Sequence, residues 1–231
     1  MRYSRLHAHN WSGGSIGVDL NDNVYLSDYI YGQHVYQFVR QINDSYEIGI
    51  TFFHDEEGIG LRMFNEVAAD RSIAPAGIKT IDDRVYVADG RLLFWDNKDE
   101  LTNGQAPDGY LNSTSFTDLP NQNYRYDSQI QVDEQGRLWA AANNFYEGGR
   151  VDVFFPPINS EDTPDLTING TIPLVGGGSI TIGMDGENSV GFNGIEVSDD
   201  AQYLWITETN RHRVIRIKDP LTNPVVDVIL G

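Results

Sequence analysis

Cysteine is absent from this sequence of 231 residues, so the chain can form no disulfide, thiolate metal site or cysteine nucleophile. Positive charge is scarce too. Only three lysines occur, Lys79, Lys98 and Lys218, and the formal net charge at pH 7 is -18. A chain of this charge repels nucleic-acid phosphates and anionic membrane surfaces. We therefore expect no nucleic-acid partner.

Long apolar runs are missing as well. No stretch approaches the roughly 20 apolar residues that a membrane-spanning helix needs, so we expect no membrane insertion. The segment Met1 to Gly14 carries two arginines and two histidines, but no apolar run of the kind found in a signal peptide. We expect an extracytoplasmic or secreted location, and its export signal would then lie outside this sequence.

Internal repetition is the main positive signal. Four segments share one pattern, in which an apolar strand, a polar turn, a strand of the type Tyr/Trp-x-x-Asp/Glu and an Arg/His-Val-x-x-Phe/Ile strand follow one another. The segments are Ser15 to Arg40, Gly77 to Asn97, Gln129 to Pro156 and Gly194 to Pro220. Apolar residues alternate with polar ones inside each segment, which indicates strands.

A fourth strand-like stretch follows each segment. These stretches are Tyr46 to Phe53, Asp108 to Asn112, Asp165 to Asn169 and Val225 to Leu230. Four antiparallel strands per repeated unit predict an all-β fold, a β-propeller whose blade units cover about 15–53, 77–112, 129–169 and 194–231 of a single propeller domain or fragment. We expect twelve strand residues to be buried between blades: Val18, Val24, Leu26, Ile78, Val85, Val87, Val132, Leu138, Ile195, Val197, Leu204 and Ile206.

Three of the repeated units end their second strand in an acidic residue: Asp28, Asp89 and Glu208. A residue that recurs in every blade is better explained by blade construction than by one active site. We expect these carboxylates to pair with the arginines that open the third strands, such as Arg91 and Arg213.

Acidic clusters also lie between the first and second strands of each unit. They do not match a calcium-binding EF-hand loop, because the twelfth position counted from Asp19 is Ile30 and not a glutamate. We expect ordinary hairpin turns there, which favour Asp, Asn and Gly.

Two stretches resemble a known family. Arg211-His212-Arg213-Val214 after WITETN is similar to the signature of NHL repeats, and VYVAD at Val85 to Asp89 fits it too. The connecting segments Leu101 to Phe116 and Asp219 to Gly231 resemble those of bacterial NHL-repeat proteins. The resemblance implies a six-bladed ring of which four blades lie in this chain; a closed four-bladed ring is the alternative.

A more distant resemblance concerns Phe192 to Val214, which is similar to a strand of the SMP-30/gluconolactonase and strictosidine synthase-like propellers. That family places a metal-binding asparagine before the glycine, which implies Asn193 here. One blade earlier the family carries an Asn-Asp pair, whereas the aligned residues of this chain are Ser128 and Gln129, with Asp127 just before them. Under this alternative the cofactor is Ca²⁺ or another divalent metal, and the protein is a hydrolase or lactonase with its site at the mouth of the central channel. Otherwise we expect no cofactor.

The leading functional prediction is a non-catalytic binding or scaffold module. In a propeller, the connections from fourth to first strands and from second to third strands emerge on one face, and here these connections are long, as at Thr171 to Asn193. We expect this face to hold a protein, peptide or glycan partner, and the connection after Thr171 to be removable without unfolding. The predicted contact residues are Tyr29, Tyr31, Phe116, Phe145, Tyr146, Arg211 and His212.

Overall fold

The computed structural model describes residues 16–28, 34–41, 46–52, 76–102, 105–116, 124–144, 148–185, 188–189 and 191–231. The described chain is all-β, with one short 3-10 turn at Thr209–Arg211. None of its described segments forms a helix with the length and hydropathy needed to cross a membrane. The predicted fold class, a β-propeller of four-stranded antiparallel blades, is confirmed.

Sixteen of the strands build four blades in chain order. The first blade holds β1 (Ile16–Val18), β2 (Val24–Asp28), β3 (His34–Arg40) and β4 (Tyr46–Phe52). The second holds β5 (Gly77–Ile81), β6 (Arg84–Ala88), β7 (Leu92–Trp95) and β8 (Gly109–Leu111). The third holds β9 (Ile130–Val132), β10 (Leu138–Asn144), β11 (Gly148–Phe154) and β12 (Leu166–Ile168). After two hairpins, the fourth holds β17 (Phe192–Val197), β18 (Tyr203–Glu208), β19 (Arg213–Lys218) and β20 (Val225–Leu230).

Each blade is a meander in which every strand pairs with the next one in the chain. The innermost strands β1, β5, β9 and β17 lie side by side in that order. At Gly77 the inner strands of the second and third blades approach so closely that an added Cβ would lie 2.6 Å from the carbonyl oxygen of Ser128. Only glycine allows this contact between two backbones.

The acidic residues between first and second strands form turns, as expected. Asp19 accepts backbone hydrogen bonds from Asn21 and Asn23, both at 2.9 Å, and its second oxygen accepts one from the hydroxyl of Tyr25. Asp133 repeats the arrangement in the third blade, where its second oxygen accepts a hydrogen bond from the indole of Trp139 at 2.8 Å. Each carboxylate therefore ties its turn to the aromatic residue of the second strand.

Three apolar clusters join successive blades. Tyr25 of the first blade packs with Ile78, Val85 and Val87 of the second. The next cluster brings together Tyr86, Ala88 and Phe94 of the second blade with Ile130, Leu138 and Ala140 of the third. The last joins Trp139, Ala141 and Val153 with Ile195, Leu204 and Ile206 of the fourth. At each of these three contacts, one sheet face of the earlier blade packs on the facing sheet of the later blade.

Four residues of the predicted core depart from expectation. Val18 is 54% exposed, and Val24, Leu26 and Val132 are half-buried, whereas the other eight are buried. Three of the four lie in the first blade, on the face that points away from the second blade. The prediction was wrong there because burial in a propeller requires a neighbouring blade as well as an apolar strand.

The connection between the third and fourth blades is not an open loop. It forms two hairpins, β13 (Gly170–Pro173) with β14 (Ser179–Ile182), and β15 (Met184–Asp185) with β16 (Asn188–Ser189). Ile172 and Ile182 are 3% and 1% exposed in the cluster between these blades, and Leu174 forms a parallel bridge with Val226 of β20. Our expectation that this segment could be removed without unfolding is wrong, because removal would uncover part of the core.

Candidate functional site

Two of the three acidic residues that end the second strands, Asp89 and Glu208, lie in internal ion pairs, as predicted, whereas the side chain of Asp28 lies outside the described residues. In the second blade, Nη2 of Arg91 lies 2.7 Å from Oδ2 of Asp89, and the two side chains are 1% and 0% exposed. The same guanidinium donates to the carbonyl of Phe116 at 2.7 Å. The pair therefore holds the following connection against the blade.

In the fourth blade, Glu208 pairs with Arg213 and also accepts a hydrogen bond from the backbone N–H of Gly183 at 2.8 Å. Arg211 and Arg213 both donate to the carbonyl of Thr181, at the end of β14. These contacts fasten the connecting hairpin to the end of the fourth blade.

In the third blade, the arginine of the third strand pairs with a different acidic residue. Ala142 stands where the other blades carry an acid, and it lies opposite Arg150 in the register of β10 and β11. The guanidinium of Arg150 pairs instead with Asp152, which also accepts hydrogen bonds from Tyr126 and Thr167. Burial raises the pKa of Asp152, and burial together with the nearby carboxylate raises the pKa of Tyr126.

A different polar group is accessible at the start of the inner strands. We call Asp127, Asn143 and Asn193 the mouth cluster. The amide of Asn143 donates to Oδ1 of Asp127 at 2.8 Å and exchanges hydrogen bonds with both backbone groups of Phe192, at 2.7 and 3.2 Å. The side-chain oxygens of Asn143 and Asn193 lie 3.5 and 3.8 Å from the point where a Cβ on Gly191 would stand. Residues of the third and fourth blades therefore meet here.

Asp127 is exposed, yet the protein around it raises the pKa of its carboxyl by desolvation, while the hydrogen bond from Asn143 lowers that pKa. The surrounding protein therefore partly desolvates the carboxylate, while part of its surface stays open to solvent. The group is thus held in place and remains open to a ligand.

The mouth cluster fits a metal ion poorly. Asp127 is its one carboxylate, and one oxygen of that group and the amide oxygen of Asn143 already accept hydrogen bonds. Calcium takes six to eight oxygen ligands, about twice what these residues can offer. Within the described ranges, no group of three or more His, Cys, Asp or Glu side chains could hold a metal. We derive no catalytic step through a metal.

The predicted contact residues fall into two groups. Tyr29, Tyr31, Phe145 and Tyr146 lie outside the described residues. Phe116 is half-buried and packs edge-on against Tyr110, with ring centroids 4.8 Å apart. Arg211 makes the internal contact with Thr181, and His212 is exposed in a left-handed conformation with φ of 50°. None of these three contacts the mouth cluster in the interactions described above.

Sequence reasoning missed Asn143, the residue that joins the mouth cluster. It follows Ala142 near the end of β10 and has no equivalent in the repeat pattern, so no periodicity points to it. The one available signal was its place beside the position where the other blades keep an acid.

Comparison with known proteins supports the fold and nothing finer. No protein-family model matches the chain, and no curated protein matches it. The β-propeller domain of Myceliophteria thermophila Cps50 (Swd1) superposes with a TM-score of 0.52 at 9% identity, covering 94% of this chain and 57% of that domain. A candidate 6-phosphogluconolactonase from Bacteroides uniformis reaches a TM-score of 0.47 at 10% identity, covering 92% of this chain and 53% of that protein. The chain thus spans little more than half the length of either structure.

Proposed function

We propose that this chain is a non-catalytic binding or scaffold module that holds a protein, peptide or glycan partner at the end of the propeller where the mouth cluster lies. The observation that carries the proposal is the state of Asp127, Asn143 and Asn193. Asp127 and Asn193 are exposed, and Asn143 is fixed by the backbone of Phe192. Accessible polar groups on a rigid scaffold bind a partner with little loss of entropy.

The other ionisable groups at this end support the same proposal. Asp89, Asp152 and Glu208 are fully buried and are engaged with arginines of their own blades. Their role is structural, so ligand contacts fall to residues that differ from blade to blade. Differences of this kind suit recognition, because function on a propeller lies where the backbone leaves the sheets.

We further propose that the blades are of the NHL-repeat type. The support is the segment after Glu208, where a 3-10 turn at Thr209–Arg211 ends in the left-handed His212 and brings Arg213 opposite Glu208. In the Arg-His-Arg sequence, the left-handed His212 thus ends the turn, and Arg213 lies opposite the acidic residue Glu208.

A screen of the full chain against a glycan microarray and a peptide display library tests the binding proposal. Asn193→Ala and Asp127→Ala should weaken any selected ligand at least about tenfold, the cost of losing one hydrogen bond to a charged or well-placed group. Glu134→Ala, at an exposed turn between β9 and β10, is the control and should leave affinity unchanged. Ligands that are lost with Glu134→Ala and kept with the other two variants would place binding at the opposite end.

The hydrolase alternative rests on the placement of Asp127 and Asn193 near Asn143, where the third and fourth blades meet. It predicts stoichiometric calcium or another divalent metal in the purified protein and hydrolysis of lactones that stops on chelation. Elemental analysis separates the two functions. A metal-free protein that binds its selected ligand in the presence of a chelator would support the binding module and contradict the hydrolase.

A further inference from the structure

Two amide side chains at the mouth cluster make no hydrogen bond to the protein within the described ranges. One is Asn193 of the cluster itself and the other is Gln129, two residues after Asp127, and both are exposed. Oδ1 of Asp127 accepts the hydrogen bond from Asn143, and no other described residue donates to this carboxylate. Three side chains thus keep hydrogen-bonding atoms available to a ligand.

Two glycines let these side chains approach one another. An added Cβ on Gly194 would lie 3.3 Å from Oε1 of Gln129, so the Gln129 amide reaches from the third blade to the backbone of the fourth. Gly194 directly follows Asn193 in the chain. On the other side of Asn193, an added Cβ on Gly191 would lie 3.8 Å from Oδ1 of Asn193 and 3.5 Å from Oδ1 of Asn143. The amides of Gln129, Asn193 and Asn143 therefore lie next to one another across the boundary between the two blades.

The backbone that carries Asp127 is fixed on both sides. Arg125 and Asn143 exchange two backbone hydrogen bonds, both of 2.8 Å. The carbonyl of Gln129 accepts a hydrogen bond from the backbone N–H of Ala141 at 3.2 Å. Asp127 lies between these two contacts with β10. The available groups therefore need little ordering when a ligand binds.

The available atoms include both donors and acceptors. Each of the two amides presents two N–H donors and a carbonyl oxygen, whereas an ionised carboxylate such as Asp127 only accepts. A hydroxyl group both donates and accepts, so neighbouring hydroxyls on one ligand can satisfy the amides and the carboxylate together. An ammonium group only donates and would leave the amide N–H groups without acceptors. A phosphate or carboxylate only accepts and would face the carboxylate of Asp127.

Charge at the mouth cluster also favours an uncharged ligand. Desolvation raises the pKa of Asp127, and the positive charge of Arg125 is among the effects that lower it. The chain as a whole has a formal net charge of -18 and therefore repels anionic ligands. The same overall charge attracts cations, but at the mouth cluster the charge of Arg125 counters that attraction.

A peptide would find few apolar contacts at this site. Partners of that kind gain much of their affinity from aromatic and other apolar side chains that pack in pockets. Among the described residues, the large exposed apolar side chains lie outside β9, β17 and the segments that lead into them. Leu20 and Phe155, for example, lie at the opposite end of their blades. The described part of the site therefore offers hydrogen bonds but no apolar anchor.

We propose, on the basis of the binding function proposed above, that the mouth cluster and Gln129 bind a neutral glycan through adjacent hydroxyl groups of a sugar ring. Asp127 accepts hydrogen bonds from these hydroxyls, and the amides of Asn193 and Gln129 both donate to them and accept from them. The partner is thereby narrowed from a protein, peptide or glycan to an uncharged molecule rich in hydroxyl groups.

Isosteric variants distinguish the ligand classes by the sign of their effect on affinity. Asp127→Asn, Asn193→Asp and Gln129→Glu keep the shape of the side chain and exchange an oxygen for an NH₂ group or the reverse. The full chain and each variant are titrated calorimetrically with neutral oligosaccharides, uronic acid oligosaccharides, lysine-rich peptides and neutral peptides. Gln202→Glu, at an exposed turn between β17 and β18, is the matched control. Circular dichroism must show native β-structure in every variant.

A neutral oligosaccharide should bind the wild-type chain, and each of the three variants should bind it at least about tenfold more weakly. The reason is that every exchange replaces a matched hydrogen bond at the site by a mismatched one. Gln202→Glu should leave the affinity unchanged. Raising the salt concentration from about 0.05 to about 0.5 M should also leave it unchanged, because salt screens interactions between charges.

Binding of another class at the same residues would overturn the neutral glycan and retain the binding function. A lysine-rich peptide that Asp127→Asn weakens and the other two variants strengthen would identify a cationic ligand. A uronic acid oligosaccharide with the opposite pattern would identify an anionic ligand, and a neutral peptide that all three variants weaken would identify a peptide ligand. If no probe binds, or if binding ignores all three variants, both the neutral glycan and the binding function at the mouth cluster are wrong.

Discussion

The buried pair of Asp89 and Arg91 offers the sharpest test of the blade architecture. Arg91→Met removes the guanidinium whose Nε and Nη2 donate to the carboxylate at 3.1 and 2.7 Å, and leaves that carboxylate fully buried. Breaking a buried ion pair at one partner costs about 3–5 kcal/mol, since an uncompensated charge remains. This is a large part of the roughly 5–15 kcal/mol by which a domain is stable.

The double variant separates charge from packing. Asp89→Ala with Arg91→Met removes both charges, and the third blade already carries an alanine, Ala142, at the position of Asp89. We expect the loss in free energy of unfolding of the double variant to be smaller, by about 1–3 kcal/mol, than the sum of the losses of the two single variants. The residual cost should reflect the lost hydrogen bond from Arg91 to the carbonyl of Phe116.

Urea unfolding followed by fluorescence of the four tryptophans measures these differences. Asp22→Asn is the matched control, because its partner Arg40 and Asp22 itself are 41% and 53% exposed. An exposed pair contributes about 0–1 kcal/mol. The reasoning is refuted if Arg91→Met costs no more than Asp22→Asn, or if the two single losses simply add in the double variant.

Three further predictions concern the core, the inner strands and the mouth cluster. Ile206→Ala should lower the free energy of unfolding by about 2–5 kcal/mol and Val18→Ala by much less, as measured in urea, because only Ile206 is fully buried. Gly77→Ala should cost about 1–3 kcal/mol in the same assay, since its new methyl group meets the carbonyl of Ser128. Asn143→Ala should raise the carboxyl pKa of Asp127 further in a ¹³C NMR titration, because it removes a donor that lowers it. Because folding raises this pKa, the contribution of Asp127 to the free energy of unfolding is lost as the pH rises through the folded-state pKa. A titration midpoint of Asp127 that is the same in Asn143→Ala and in the wild type would contradict the hydrogen bond assigned to Asn143.

The blade architecture could be predicted because the residues of the two sheet faces alternate along the second strand of each blade. Second strands carry an aromatic residue between aliphatic ones, as in Val85-Tyr86-Val87, and the structure buries the aromatic residue against the next blade and the aliphatic ones against the previous blade. Repetition of this pattern fixes the strands and the direction of packing. The pattern does not say whether another blade packs on a given sheet face, and for that reason the predicted burial of Val18 was wrong.

The hairpin of β13 and β14 was predicted as a plain connection, although its sequence alternates. Ile172 of β13 and Leu174 just after it pack toward the core, as do Ile180 and Ile182 of β14, and glycines with positive φ lie between the strands. The pattern was hidden because it matches no other blade. A search for repeats selects what recurs and passes over an insertion, even one with ordinary strand signals.

The candidate site was the least predictable part, because its residues also do not recur from blade to blade. A side chain that bonds to the backbone of the next blade, as Asn143 does with Phe192, depends on how two blades sit together, and no spacing within one blade encodes that. The repeated acids are consumed by ion pairs that hold the blades, as with Asp89 and Glu208. The residues available for ligand contacts must therefore be those that differ from the repeated pattern. Asp127 lies three residues before Ile130 and satisfies this condition, because the equivalent residue three positions before Ile195 in the fourth blade is the buried Phe192.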